Sequence, residues 1–300
     1  MDSLISFYKK QFGLQHATFI RIEHNDTMVA IVYKVIVPSS LPLILKISTR
    51  PGDYYREVYF LNYLANKLPV PRLLDSSAPS ESAYGAVLME CLSGDLLILS
   101  NFSNMAYQVG VLLAKIHANR VDGYGDLIHP PLSSNPCSDL IFKFEEGLAE
   151  CANHLPQALL ERCRHYINER LYILTDADGP CITHRDFRPG NIIVENNKIS
   201  GIIDWASGRA SFAEEDFYSL EHARCFSSLK AKQLFLQGYA SVRPLPDYDK
   251  MLPILSLSKV IGMIGFMVKT GTWNTSHKKL YQYNYQLLEQ IMTTNKGYGF

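Results

Sequence analysis

Over the first ninety residues, runs of apolar positions set between short polar breakers favour strands. "TFIRIEH", "MVAIVYKVIV" and "PLILKIS" are rich in β-branched and aromatic residues and are separated by "ND" and "PSSLP", so three strands are predicted. The pattern then changes. In "GDYYREVYFLNYLANKL", Tyr55, Val58, Leu61 and Leu64 recur at helical spacing and stop before "PVPRLLD". "AYGAVLMECLSGDLL" reads as one more strand running into a linker. Beyond Asn101, "NMAYQVGVLLAKIHANR" and "LPQALLERCRHYINERLYIL" are amphipathic helices, interrupted by "DGYGDLIHPPLSSNP". The opening "MDSLISFYKKQFGL" is a short amphipathic helix rather than a signal peptide. The pattern predicts an α+β chain: a small antiparallel lobe over 1–92 and a larger, mainly helical lobe over 93–300, joined near Ser93 and Gly94. A cleft between such lobes is a favoured small-molecule site.

Composition narrows the class. A 47% hydrophobic and 19% charged chain of 300 residues is an ordinary soluble globular protein with enough length for a sizeable core. Basic and acidic residues balance at 29 each, so no global field recruits nucleic acid or a membrane surface. The longest apolar run, Val260 to Val268, is short of the roughly 20 residues that span a bilayer. Six cysteines without CxxC spacing are expected to be reduced thiols of a cytoplasmic protein, not a metal cluster.

Candidate chemistry sits in "ITHRDFRPGNIIVENNKISGIIDWASGRA", Ile182 to Ala210. An ionised carboxylate is costly to bury unless a cation or hydrogen bonds compensate, yet Asp186 lies in a tight loop and Asp204 follows an apolar strand. Transfer of a γ-phosphoryl group would use both, because it needs a carboxylate to orient the attacking hydroxyl, oxygen ligands for Mg²⁺ and a lysine on the phosphates. Asp186 at the loop tip would be the base. Asn191, across a Pro-Gly turn, and Asp204, returned by an Asn-Asn hairpin, would offer hard oxygen donors.

His184-x-Asp186, Asn191 at its fixed spacing and Asp204-Trp205 together resemble the aminoglycoside phosphotransferase and choline kinase-like family, small-molecule relatives of the protein kinases. The resemblance implies a protein-kinase-like bilobal fold and ATP with Mg²⁺. It makes Asp186 the catalytic base, Asn191 and Asp204 metal ligands, and His184 a packing residue of the loop. Asp216 resembles the family's structural aspartate that fastens the catalytic loop. Lys46 in "LILKIST" and Glu57 in "YYREVYFL" would pair over the nucleotide phosphates. "VLMECLSG" resembles the hinge, where main-chain groups near Glu90 and Leu92 take adenine and Met89 guards the back of the pocket. A protein kinase would instead read Asp-Phe-Gly and continue into a long activation segment; this chain reads Asp204-Trp205-Ala206 and is helical again by "EEDFYSLEH". A pseudokinase should have lost one of Asp186, Asn191, Asp204, Lys46 or Glu57, and all are present.

One feature departs from the pattern. No glycine occurs between Gly13 and Gly52, so the phosphate loop would turn on Asn25, Asp26 and Thr27, with Asn25, Thr27 and their amides as donors and Asp26 pointing away. The acceptor is a small-molecule hydroxyl. An aminoglycoside is the first choice, with Glu145, Glu146 and Glu150 of one helix facing the polycation. A metabolite alcohol such as an amino alcohol, homoserine or a sugar derivative is the alternative. Local charge is divided: Leu132–Gly179 is net −4 and Ser207–Phe300 net +4. His117 reads as a satisfied core histidine, and the aromatic "LYQYNYQLL" as packing.

Overall fold

The computed structural model describes residues 2–23 and 30–294. By packing, the chain divides into two compact units: Met1–Ile116, His184–Gly208 and Ser227–Val242 form the first, and His117–Thr183, Arg209–Phe226 and Arg243–Phe300 the second.

The first unit opens with α1 (Asp2–Gln11) and a sheet of β1 (Thr18–Ile22), β2 (Ala30–Ile36), β3 (Leu43–Ser48), β4 (Leu73–Ser77) and β5 (Gly85–Glu90), with α2 (Pro51–Leu64) between β3 and β4. The strands are antiparallel in the order β1-β2-β3-β5-β4. Opposed residues of antiparallel strands share a face. Register therefore puts Tyr33, Val35, Leu45, Ile47, Ala86 and Leu88 on one side, where Tyr8, Leu14 and Ala17 complete a buried core. The other side carries two rows, Ile22–Val32–Lys46–Val87 and Ile20–Lys34–Ile44–Met89. Helix α2 packs on this second side: a Cβ at Gly85 would fall 2.5 Å from Tyr54 Cγ.

Two details differ from the sequence pattern. β4 was not anticipated; "LLDSS" has no alternation, and its strand state comes from the ladder with β5, which a bulge shifts between Leu73 and Asp75. On α2 the buried face is Asp53, Tyr54, Glu57, Phe60, Leu61 and Leu64, while Tyr55 is exposed. The stripe turns because two acids occupy positions that an apolar count skips.

The unit continues with β6 (Asp95–Leu96) and α3 (Phe102–His117), which ends at the unit boundary. The second unit takes over with α4 (Cys137–Cys151), α5 (Gln157–Asn168) and β7 (Cys181–Thr183). The chain returns to the first unit for β8 (Ile192–Glu195) and β9 (Lys198–Ile202), then supplies β10 (Arg209–Ser211) and α6 (Glu214–His222) to the second. Helix α7 (Leu229–Ala240) belongs to the first unit and packs closely on α3, where a side chain at Gly110 would strike the Phe235 carbonyl. The second unit closes with α8 (Tyr248–Lys269) and α9 (Lys278–Thr294).

Helix α8 corrects the estimate of the apolar run. It is 22 residues long, apolar enough by length and composition to cross a membrane, and 61% of its apolar window is buried inside the protein. Pro253, Ser256 and Lys259 break the run in sequence but not in space. Its closest neighbour is α4, where a Cβ at Gly147 would lie 3.1 Å from Gly262 Cα and one at Gly265 2.8 Å from the Gly147 carbonyl. The six cysteines are free thiols.

Candidate active site

Strand β3 presents Lys46 on the sheet face that α2 partly covers, and only 7% of the residue is exposed. Its Nζ donates to Glu57 Oε2 at 2.6 Å and to Asp204 Oδ1 at 2.8 Å. Burial works against the ammonium, but the charges of Asp204 and Glu57 outweigh it and hold the Lys46 pKa above the ordinary lysine range. The Lys46 charge in turn keeps Asp204 below the usual carboxylate range, against its burial. Glu57 is pushed up by burial, which the lysine only partly offsets. The Asp204 side chain remains 44% exposed, so it faces outward while Glu57 is sealed in.

Asp204 has φ 66° and ψ 67°, a left-handed conformation that aspartate tolerates better than most residues. The following turn, Trp205–Ser207, is fastened to α2: Phe60 stacks on Trp205 at 5.4 Å, and Arg56 Nη1 donates to the Ala206 carbonyl at 3.1 Å while also meeting Asp53. Glu57 and Asp204 thus share one support.

The loop after β7 is held by His184, which is fully buried. Its Nε2 lies 3.0 Å from the Ile203 carbonyl, its Nδ1 accepts the Asp186 N–H at 3.3 Å, and its ring packs on Trp205 at 4.6 Å. A ring protonated at Nε2 satisfies both bonds. Asn191 Nδ2 donates to the Asp186 carbonyl and to Asp186 Oδ2, each at 2.8 Å. That orientation commits the amide nitrogen and turns Asn191 Oδ1 to other use. Ile203 N–H donates to the Asn191 carbonyl at 2.9 Å, tying the two ends of the β8–β9 hairpin. Asn196 and Asn197 turn that hairpin with φ 50° and 57°, the pair of positive angles a two-residue turn demands.

The proposed hinge residues are on β5 and just beyond it. Met89 is buried opposite Ile44. Glu90 N–H donates to the Arg72 carbonyl at 3.0 Å while its carboxylate accepts the Arg72 N–H at 3.2 Å, so the Glu90 N–H is committed within the protein. Leu92 packs over β9, where a Cβ at Gly201 would collide with it. Asn25 and Thr27 lie outside the described residues.

Sequence reasoning missed two groups. Ile20 and Ile22 are 52% and 40% exposed on the Lys46 side of the sheet, beside Val32 and Ile44; period-two alternation around Lys46 would have found this apolar face. Arg188 was also missed. Its Nε donates to Asp186 Oδ2 at 3.2 Å.

In the second unit, the three acids of α4 each meet a cation. Arg164 grips Glu145 with two 2.8 Å bonds, Lys143 Nζ is 2.8 Å from Glu146, and Lys269 Nζ is 2.7 Å from Glu150. Their bonds with Arg164 and Lys143 hold Glu145 and Glu146 below the usual carboxylate range. His117 is wholly buried, with Nε2 3.1 Å from Asp216 Oδ2; burial lowers its pKa, so it stays neutral near pH 7. Among the described residues, no three His, Cys, Asp or Glu side chains gather as a ready-made metal site.

Residues 30–253 match the family described as "Phosphotransferase enzyme family". Over 273 residues the chain is 25% identical to a homoserine kinase of Gluconobacter oxydans (strain 621H), covering 85% of this chain and 79% of that protein. Among solved structures, a thermostable mutant of aminoglycoside phosphotransferase APH(4)-Ia, in ternary complex with AMP-PNP and hygromycin B, superposes with a TM-score of 0.74 at 14% identity, covering 98% of this chain and 99% of that one. ADP-bound aminoglycoside phosphotransferase APH(2'')-Ib gives 0.67 at 15% identity, covering 97% and 98%. These likenesses establish the protein-kinase-like α+β fold.

Proposed function

Because the chain belongs to the phosphotransferase enzyme family, we propose that it moves the γ-phosphoryl group of ATP to the hydroxyl of a small metabolite. The arrangement that carries this reading is Lys46 between Glu57 and Asp204, with Asp186 and Asn191 bonded to one another in the adjoining loop. Residues 1–92 would bind nucleotide and 93–300 complete catalysis and receive the acceptor. The apolar side of the sheet, Ile20, Ile22, Val32, Ile44 and Met89, would cover the base, and the Glu90 carbonyl and Leu92 main chain would take its polar edge.

Lys46 would contact the phosphates, oriented by Glu57. Asn191 Oδ1 and the exposed Asp204 carboxylate are hard oxygen donors that fit Mg²⁺, which takes few protein ligands and completes its shell with phosphate and water. When bound there it would neutralise charge on the β- and γ-phosphates. Asp186 would orient the acceptor hydroxyl and take its proton. The two donors on its carboxylate, Asn191 and Arg188, both reach Oδ2, so Oδ1 would be the proton acceptor. ATP as donor and the free thiols fit a cytoplasmic enzyme.

A metabolite alcohol is favoured over an aminoglycoside. A polycation would need unpaired carboxylates, and Glu145, Glu146 and Glu150 are each held by a cation of the chain itself. A homoserine kinase relative points the same way. A coupled ADP-release screen over homoserine, choline, sugars, aminoglycosides and macrolides tests the reading. Turnover with a neutral or zwitterionic alcohol is expected; turnover with aminoglycosides alone would reverse the choice.

A further inference from the structure

Arg188 holds one oxygen of Asp186 through its Nε. It lies two residues beyond Asp186 in the same loop, with its side chain 28% exposed. Its Nε is 3.2 Å from the carboxylate oxygen that Asn191 also holds. The guanidinium folds back over Gly190, where a Cβ would sit 2.7 Å from Arg188 Nη1. Gly190 is not among the glycines with positive φ, so its backbone does not need glycine. What the missing side chain provides is room for the guanidinium.

We propose that Arg188 is a catalytic residue whose guanidinium binds the phosphoryl group in flight between the nucleotide and the acceptor. The inference rests on the kinase reading and deepens it. A guanidinium bonded to the proposed base stands beside the acceptor oxygen that the phosphoryl group must reach. In that step the acceptor oxygen forms a bond to Pγ as the bond from Pγ to the β–γ bridging oxygen breaks. ADP leaves with the electron pair, and the hydroxyl proton passes to Asp186 Oδ1. Negative charge spreads over the three equatorial oxygens of the phosphoryl group, and an arginine presents five N–H donors in a fixed fork suited to it. Such a donor acts most strongly in the transition state, where the charge it meets is most dispersed and least solvated.

The test compares affinity for ADP with affinity for ADP plus aluminium fluoride, a mimic of the phosphoryl group in flight, both with Mg²⁺. It uses the full-length parent, Arg188→Ala, Arg188→Lys and Gly190→Ala. The parent should bind tighter with fluoride present. Arg188→Ala should lose about 100- to 1,000-fold of affinity for the fluoride complex, while ADP alone binds as before, which also reports an intact fold. Arg188→Lys should recover part of the loss. Gly190→Ala, which displaces the guanidinium without removing its charge, should lose an intermediate amount. Equal fluoride affinity in parent and Arg188→Ala would overturn the role of Arg188 alone. A parent that gains nothing from fluoride would overturn the kinase reading and this inference with it.

Discussion

Lys46 serves two carboxylates at once, and its removal should separate stability from activity. Taking one partner from a buried ion pair leaves an uncompensated charge and costs roughly 3–5 kcal/mol. Lys46→Met should therefore lower the urea midpoint and abolish phosphoryl transfer, since Glu57 is 1% exposed. Adding Glu57→Leu should recover much of the stability and none of the activity, because an apolar pair can replace a buried ionic one. Asp186→Asn should behave differently. Its loss falls in the transition state, so kcat should drop by orders of magnitude while nucleotide still binds in a calorimeter. Glu214 offers a pH test. Burial pushes its carboxyl up to about 7, well above the ordinary glutamate value. A raised carboxyl pKa favours the fold fully below the unfolded value, and that contribution is lost as pH climbs from about 4.5 through 7. The loss is on the order of 3 kcal/mol. Glu214→Gln keeps an acceptor for the Asp178 N–H that Glu214 now binds. Its melting temperature should rise relative to the parent between pH 5 and 8; parallel curves would refute the shift.

Helix packing makes its own prediction. On α8, Gly265→Ala would push a methyl to 2.8 Å from the Gly147 carbonyl, whereas Gly262→Ala meets nothing within 4 Å. The first should cost about 1–3 kcal/mol and the second should gain up to about 1 kcal/mol from helix propensity. Denaturant melts of the two variants should move in opposite directions. Such glycines cannot be ranked from sequence, because what each one faces belongs to another helix. The same limit explains what was legible. β1, β2 and β3 are rich in β-branched and aromatic residues between polar breakers, and the 184–204 segment has its spacing written in contiguous residues, so both could be read directly. β4 could not, because "LLDSS" owes its state to β5. Arg188 was passed over because its relation to Asp186 appears only once the side chain folds over Gly190.

Charge across the chain was counted correctly but could not be assigned. Two of the acids of α4 looked available because their partners are distant in sequence: Arg164 is 19 residues from Glu145, and Lys269 is 119 from Glu150; Lys143, three residues before Glu146 on the same helix, could have been read. With those acids paired, the acceptor KM should change by less than roughly twofold between low and high salt, since the α4 carboxylates are already matched by cations of the chain itself. Replacing Glu146 and Glu150 with Gln should leave it unchanged. A steep rise of KM with salt would restore the aminoglycoside reading.

The division of the chain has a consequence in time. Lys46 and Asp204 are 158 residues apart, and much of the stretch between them, from His117 to Thr183, belongs to the other unit. Translation at 5–20 residues per second places Lys46 in the nascent chain about 8–30 s before Asp204 is made. Through that interval the emerging sheet carries the lysine and Glu57 without the third charge, and α2 lacks Trp205 to cover Phe60. The first unit cannot close until the segments ending at Gly208 and then at Val242 have left the ribosome. A chain stalled anywhere between α3 and that point therefore displays an unfinished apolar face, the kind of surface that chaperones hold and proteases cut.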